Sequence, residues 1–184
     1  MPGYIQEKYK PQDDWFGGVS RTAGKEVYNE SGQWDEYLPV KEIQAGRFMG
    51  SQACVSFSAL NCLEILYKFE FEKEINWADR FTAKMSGTTY KGNTFSKVAD
   101  TIRKKGVVLE EDWPFDRNTM TWEAYYSDIP QEVADKGKAW AEENEVTYEW
   151  VVPYGTEKLV EALKHAPLQV SVLYRNSDGT NIIE

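Results

Sequence analysis

The chain has 184 residues, of which 41% are hydrophobic and 14% aromatic, a composition that excludes a disordered segment and predicts a folded domain. Its 30 acidic residues outnumber 21 basic ones and give a net charge of −9, so we expect no binding to nucleic acid or to an anionic membrane. No apolar run is long enough to cross a bilayer, and the amino terminus lacks a signal pattern. We therefore expect the protein to be cytoplasmic at synthesis.

Three regions of different character follow one another along the chain. Residues 1–37 are polar and rich in turn-forming residues, which predicts an extended amino-terminal arm. Residues 38–144 carry helical periodicity and predict a helical lobe, whereas residues 145–184 predict an incomplete β lobe. Helices followed by strands indicate an α+β fold. The predicted helices span residues 51–69, 76–86, 93–105, 121–127, 130–144 and 156–166, and the predicted strands span residues 145–152, 168–174 and 181–184, with a turn at Asp178-Gly179.

The helix predicted over residues 51–69 is the most apolar element, and we expect it at the centre of the core. Ser51 is its predicted N-cap. Glu64 and Lys68 are expected to form an i,i+4 ion pair on its polar stripe. The acidic run at residues 110–112 is likewise expected to lie on a solvated face.

The two cysteines are candidates for chemistry. Cys54 and Cys62 would lie about 12 Å apart along one helix, whereas a disulfide needs roughly 4.4–6.8 Å between Cα atoms, so both are expected to be free thiols. Two cysteines and one histidine cannot supply four zinc ligands, and we expect no metal and no cofactor. Cys54 falls in the first helical turn, where the helix dipole favours a thiolate. It is a candidate nucleophile, and simple packing in the core is the alternative.

The surroundings of Cys54 resemble a known family. Residues 39–44 (PVKEIQ) and 52–59 (QACVSFSA) are similar to the active-site segment of papain-like cysteine peptidases. Residues 105–107 (KGV) with residues 111–115 (EDWPF), and then residues 166–172 (APLQVSV), resemble later segments of the same family in the same order. The pattern is particularly similar to the divergent papain-like proteins found in phage genomes.

The resemblance implies roles for individual residues. Cys54 would be the nucleophile of a peptidase acting on a peptide or protein substrate, and Gln44 would donate to the oxyanion of the tetrahedral intermediate. Gln52 is the rival for that oxyanion role, because Gln44 lies further from the cysteine than in the family. Gly92 and Asn93 would offer their backbone to an extended substrate.

The resemblance also implies that one catalytic group is missing. The family's base histidine follows the strand at residues 166–172, whereas the chain's one histidine, His165, precedes it and is predicted to be structural, at the end of a helix. We therefore expect a papain-like peptidase that is incomplete or inactive as this chain, completed by a partner protein or by a cleaved carboxy-terminal fragment. One alternative is a non-enzymatic phage virion or assembly protein that reuses the fold and is incorporated in the particle. A small-molecule binding domain with an accidental resemblance is another.

Overall fold

The computed structural model describes residues 4–8, 16, 27–44, 49–151, 155–171, 173–175 and 181–183. These residues form a helix-rich structure with two short strands and two single-turn 3₁₀ helices, at Asp35–Tyr37 and Glu110–Asp112. Within the described part of the chain, none of the helices combines the length and the apolar character that crossing a membrane requires. The elements are α1 (Cys54–Phe71), α2 (Asp79–Met85), α3 (Phe95–Lys105), α4 (Trp122–Tyr125), α5 (Gln131–Glu143), α6 (Thr156–His165), β1 (Leu173–Arg175) and β2 (Asn181–Ile183).

Helix α1 is the longest element and begins at Cys54, three residues later than the sequence predicts. Its N-cap is Ala53, which makes no side-chain capping bond, while the Ser51 hydroxyl oxygen accepts the Ala53 N–H at 3.3 Å. The backbone of Gln52 is left-handed (φ 57°), and this turn redirects the chain immediately before the helix. Ser51 therefore stabilises the turn that leads into α1 and does not cap the helix itself.

The core lies around α1 and the helices that pack on it. Helices α2 and α3 both pack on α1, and α5 packs on the other side of α3. Buried apolar side chains from these elements, and from the extended segment after α3, form three adjoining clusters. The largest cluster contains Val55, Leu60, Trp77, Val98, Ile102 and Val107; the second contains Ala78, Phe81, Val108, Trp113 and Val133; the third contains Ala53, Ala83 and Tyr125.

The structure confirms all six predicted helices; α1 begins three residues later and ends two residues later than predicted, and the others are shorter by one to four residues. The bounds of α3 could be predicted because both of its ends carry a local signal. The Thr94 hydroxyl accepts the Lys97 N–H at the start, and Gly106 ends the helix at φ 72°. Both signals are local, so they do not depend on the rest of the fold. The division into an arm, a helical lobe and a β lobe remains a prediction.

The described residues do not show the predicted β lobe, since they contain a single two-stranded pair. β1 and β2 are antiparallel, with Leu173 opposite Ile183 and Arg175 opposite Asn181. Residues 145–151 form no strand and residues 168–171 form none either. Val152 and the predicted turn at Asp178-Gly179 lie outside the described residues.

The alternating residues of the segment 145–151 face the helical lobe. Val146 packs on the main apolar cluster. The Tyr148 hydroxyl reaches the Asp100 carboxylate of α3 at 3.4 Å, and the Trp150 ring lies 6.3 Å from that of Phe95 in the same helix. These three side chains are two residues apart and therefore share one face of the segment, which accounts for the period of two.

The described parts of the amino-terminal arm are tied to the helical lobe. The Ile5 N–H donates to the Asn93 carbonyl at 2.7 Å, and the Ser96 N–H donates to the Glu7 carboxylate at 3.0 Å. Further along, the buried Trp34 donates its indole N–H to the Leu163 carbonyl of α6 at 2.8 Å. The arm therefore links the start of α3 to the last turn of α6.

Helices α3 and α5 approach most closely where two glycines meet. Gly106 adopts φ 72° and ψ −165°, a backbone region that is almost confined to glycine. A Cβ atom added there would lie 1.9 Å from the Gly137 carbonyl oxygen. The contact between the two helices thus requires glycine at position 106 for both conformation and space.

We predict that Gly106→Ala lowers the free energy of unfolding by about 3 kcal/mol or more, because backbone strain adds to a clash that only a shift of α5 can relieve. Gly87→Ala is the matched control: Gly87 has φ 71° but no atom within 4 Å of an added Cβ. It should lose only about 1 kcal/mol, the cost of the left-handed backbone. Urea denaturation of both variants measures the difference, and equal losses would contradict the close approach of α3 and α5.

Candidate active site

Cys54 is the first residue of α1 and is half-buried. Its backbone carbonyl accepts the Ser58 hydroxyl at 2.8 Å, one turn further along the helix. The unpaired N–H groups of the first helical turn give that end of α1 a partial positive charge, which favours a thiolate over a thiol. The position is therefore suited to a nucleophilic cysteine, as the sequence predicts.

Tyr126 lies beside Cys54 and was not identified from the sequence. Its hydroxyl donates to the Ser51 carbonyl at 2.6 Å. Burial raises the pKa of the Tyr126 hydroxyl above its ordinary range, and the nearby Cys54 raises this pKa further. The Tyr126 hydroxyl is therefore a neutral hydrogen-bonding group next to the candidate nucleophile. Tyr126 follows a four-residue helix with little periodicity, so the sequence offered no signal for this contact.

Gln169 brings a distant segment to the first turn of α1. Its side-chain amide donates to the Val55 carbonyl at 2.8 Å and to the Ser58 hydroxyl at 2.5 Å. Gln169 belongs to the segment 166–172, which the sequence analysis related to the family's strand after the active-site segment. In the structure residues 168–171 are not a strand, yet they lie against the turn that carries Cys54.

The two glutamines considered for the oxyanion occupy different places. Gln52 is half-buried and sits in the left-handed turn two residues before Cys54. Gln44 is exposed, at the end of a segment whose Ile43 lines the same cavity as Phe57 of α1. The segment that carries Gln44 thus lies against α1 one turn beyond the candidate nucleophile. The oxyanion role stays a prediction for Gln44 and for Gln52.

Gly92 and Asn93, the predicted substrate-binding residues, form the end of a tight turn and the entry to α3. Gly92 has φ 91° and exchanges backbone hydrogen bonds with Thr89. Asn93 is buried, and its side-chain amide donates to the Ser86 carbonyl and to the Thr88 hydroxyl, which fixes the turn. The Asn93 carbonyl already accepts the N–H of Ile5, so the chain's own arm lies along this backbone.

His165 lies at the end of α6, among arm residues. Its ring contacts those of Phe16 and Tyr28, each at a centroid distance of 5.4 Å. Its Nε2 lies 3.7 Å from the Glu161 carboxylate one turn earlier. These contacts agree with the structural role predicted for His165.

A group of carboxylic acids is buried beside the candidate site, and here the sequence prediction was wrong. Glu64 does not pair with Lys68: it is buried and accepts the Trp77 N–H at 2.8 Å, while Lys68 pairs with Glu74 at 2.8 Å. Glu110 does not face solvent fully, since its carboxylate accepts the Phe115 N–H at 2.7 Å. The carboxylates of Glu64 and Glu110 thus each accept a backbone N–H group, from Trp77 and Phe115 respectively.

Burial also changes the acidity of these groups. It raises the pKa of Glu64 to about 7, and it raises the pKa of Glu110 as well. The pKa of Asp79 is raised well above its ordinary range, first by burial and then by a hydrogen bond with Glu42. The common cause is loss of hydration, which penalises the charged form of each acid.

Comparisons with known proteins identify no family for the chain. No protein-family model matches it, and no curated protein does. Similar solved structures include two crystal structures, at 2.70 Å and 2.05 Å, of Amb a 11, a cysteine protease and major ragweed pollen allergen, in its proform. The identities are 18% and 17%, with TM-scores of 0.41 and 0.40 over 70% and 64% of this chain. The matched part is 34% and 35% of those chains, so this chain spans about a third of their length.

We predict that iodoacetamide labels Cys54 in the folded protein far faster than Cys62. Burial raises the pKa of the Cys62 thiol to about 12, so its reactive thiolate is rare at pH 8. Cys54 is half-buried at a helix N-terminus, and we expect its rate to be at least about 100-fold higher. Peptide mass spectrometry resolves the two sites. In denaturant the two rates should converge, and comparable native rates would contradict the raised pKa of Cys62.

We also predict that Glu64→Gln stabilises the protein at pH 8 but has little effect at pH 5. The pKa of Glu64 is raised in the folded state, so folding opposes its ionisation and stability falls as pH rises from about 4.5 towards 7. A glutamine oxygen can still accept the Trp77 N–H, and we expect a gain of about 1–3 kcal/mol at pH 8. Urea denaturation at both pH values measures it, with the exposed Glu123→Gln as control. Equal effects at both pH values would contradict a raised pKa.

Proposed function

We propose that the chain is the part of a papain-like cysteine peptidase that carries the nucleophile, with Cys54 as the attacking residue. The observation that supports this most directly is the contact of Gln169 with Val55 and Ser58. It joins two segments more than a hundred residues apart, residues 52–59 and 166–172, and each of them resembles a segment of the papain-like peptidases. Their meeting at the turn of Cys54 is what that function requires.

The proposed reaction is acyl transfer. The Cys54 sulfur attacks the carbonyl carbon of a peptide bond, the carbonyl oxygen takes the negative charge, and the amine leaves with a proton as the thioester forms. Water then attacks the thioester, and the carboxylic acid and the Cys54 thiol are released. Gln44 or Gln52 would donate to the oxyanion, which is the role that stabilises the tetrahedral intermediate most.

The reaction needs a proton carrier, and the resemblance implies that the family's base histidine follows the segment 166–172, whereas His165 precedes it. His165 is the one histidine of the sequence, and its ring contacts are with Phe16 and Tyr28 of the arm. A thiol without a base and without a donor to the leaving amine loses both proton transfers of the reaction. We propose that an imidazole from outside these residues, on a partner protein or on a further segment of the same protein, supplies them.

The hairpin of β1 and β2 is the proposed docking point for that partner. A two-stranded pair leaves outer backbone groups that another strand can bond. A partner that extends this sheet would complete a β lobe and could carry the base on it. This proposal uses the pairing of β1 with β2 and assigns no role to their side chains.

A chemical-rescue experiment tests the proposed function. We predict that a p-nitrophenyl ester of a short peptide acylates Cys54 slowly, and that added imidazole accelerates the reaction in proportion to its concentration because it replaces the absent base. Release of nitrophenolate gives the rate, and peptide mass spectrometry locates the acyl group. The gain at saturating imidazole is expected to be about 100-fold, the usual contribution of a general base.

Two variants make the result specific. Cys54→Ala should abolish the imidazole-dependent reaction, whereas Cys62→Ala should leave it unchanged, because desolvation raises the pKa of the Cys62 thiol and its thiolate is rare. If Cys54 takes up no acyl group, or only as slowly as Cys62, the peptidase proposal fails. The alternative of a non-enzymatic phage virion or assembly protein would then be preferred.

A further inference from the structure

Two connecting segments flank the candidate site. The nucleophile turn (residues 51–53) leads directly into α1, and the α2–α3 loop (residues 86–93) ends at the predicted substrate-binding residues Gly92 and Asn93. A nucleophile and the backbone that binds its substrate must keep a fixed separation, because a shift of about 1 Å can lower a reaction rate by about 100-fold. The connection between these two segments therefore bears on the proposed reaction.

Tyr126 connects the two segments through its hydroxyl group. This hydroxyl donates to the Ser51 carbonyl of the nucleophile turn at 2.6 Å, and it also hydrogen-bonds the Thr88 hydroxyl of the α2–α3 loop. The Thr88 hydroxyl in turn accepts the side-chain amide of Asn93 at 3.1 Å. An amide nitrogen only donates and a carbonyl oxygen only accepts, whereas a hydroxyl does both. The three hydrogen bonds therefore form a network that runs in one direction, from Asn93 to Ser51.

Most of this network is shielded from solvent. Ser51, Thr88 and Asn93 are all buried. Water therefore competes poorly for their polar atoms, and successive hydrogen bonds in a buried network strengthen one another. The Ser51 hydroxyl oxygen also accepts the N–H of Ala53, the residue before Cys54. The network thus extends from the α2–α3 loop to the start of α1.

The ring of Tyr126 is held by contacts that do not involve its hydroxyl. Lys84 of α2 donates to the Tyr126 carbonyl at 2.6 Å, and Arg80, one turn earlier, donates to the Tyr125 carbonyl at 2.8 Å. The ring packs against Trp122 at a centroid distance of 4.3 Å and against Tyr125 at 4.8 Å. Removal of the hydroxyl alone should therefore leave the ring in place, so the hydrogen bonds can be tested separately from the packing.

We propose that Tyr126 is a positioning residue: its hydroxyl couples the nucleophile turn to the α2–α3 loop and so sets the distance of the Cys54 sulfur from the backbone of Gly92 and Asn93. Tyr126 acts through Ser51 and does not need to contact the substrate. This role rests on the proposed function, whereas the coupling of the two segments is a property of the fold and can be measured without a substrate. If each hydrogen bond served only its own segment, loss of one bond would leave the other segment unchanged.

Amide hydrogen exchange, measured by NMR, tests the coupling. The reporters are the N–H groups of Ala53 and Gly92, each of which is hydrogen-bonded within its own segment. Tyr126→Phe should accelerate exchange at both groups by about tenfold, the effect expected from the loss of one hydrogen bond. Acceleration at only one of the two groups would overturn the proposal, because the segments would then open independently.

Two further variants make this test specific. Thr88→Val keeps the shape of the side chain and should accelerate exchange at Ala53, which lies in the other segment. Its addition to Tyr126→Phe should cause no further increase, because both changes remove the same link. Tyr90→Phe is the matched control: Tyr90 stacks on Trp122 at 3.9 Å but is 69% exposed, and its change should alter neither rate. An unchanged Ala53 rate in a folded Thr88→Val protein would overturn the proposal, even if Tyr126→Phe does not fold.

Acylation kinetics test the role in the reaction. The imidazole-supported acylation of Cys54 is compared for a p-nitrophenyl ester of a short peptide and for p-nitrophenyl acetate, whose acyl group carries no peptide. Tyr126→Phe should lower the rate with saturating peptide ester by about tenfold and leave the rate with the acetate unchanged, because only the peptide can contact both segments. Equal losses with both esters, or no loss with either, would overturn the positioning role while the proposed function stands. Absence of acylation in the unaltered protein would overturn the proposed function and this role with it, whereas the exchange rates would still decide the coupling.

Discussion

Hydrogen bonds from two distant segments hold the first turn of α1, and the candidate site depends on them. Gln169 donates to the Val55 carbonyl, and Tyr126 donates to the Ser51 carbonyl on the approach to the helix. Ser51 and Val55 are each 1% exposed, so these two hydrogen bonds lie where water reaches poorly. The thiol of Cys54 is positioned between these two anchors, which fix the backbone on both sides of it. The geometry of the nucleophile is therefore a property of the tertiary structure, although its place at a helix start is a property of the local sequence.

The same distinction explains which parts of the fold the sequence predicts. Helix α3 was readable because its apolar period, its Thr94 cap and its terminal Gly106 all lie within a few residues of one another. The strand expected at residues 145–151 was wrong because an alternating pattern reports only that opposite faces have different surroundings. In this segment one face meets the core and α3, as the contacts of Val146 and Tyr148 show. Alternation cannot reveal which neighbour lies on each side.

Some features of the candidate site could likewise be predicted from the local sequence, and others could not. The place of Cys54 at the start of α1 could be predicted, since a turn followed by an apolar helix carries a local signature. Tyr126 and Gln169 could not, because each acts through a single contact with a residue far away in the sequence. Glu64 was mistaken for a surface residue because helical spacing favours a pair with Lys68. That rule holds for an isolated helix, and here packing of Trp77 against α1 offers a buried N–H that the carboxylate accepts instead.

The buried acids bear on the candidate site through the segment that carries Gln44. Glu42 shares a hydrogen bond with Asp79, and two carboxyl groups can share one only if a proton lies between them. The position of residues 41–44 against α2 therefore depends on that proton. Gln44 is two residues from Glu42, so a change in the charge of the Asp79 pair acts first on the segment that holds a candidate oxyanion donor.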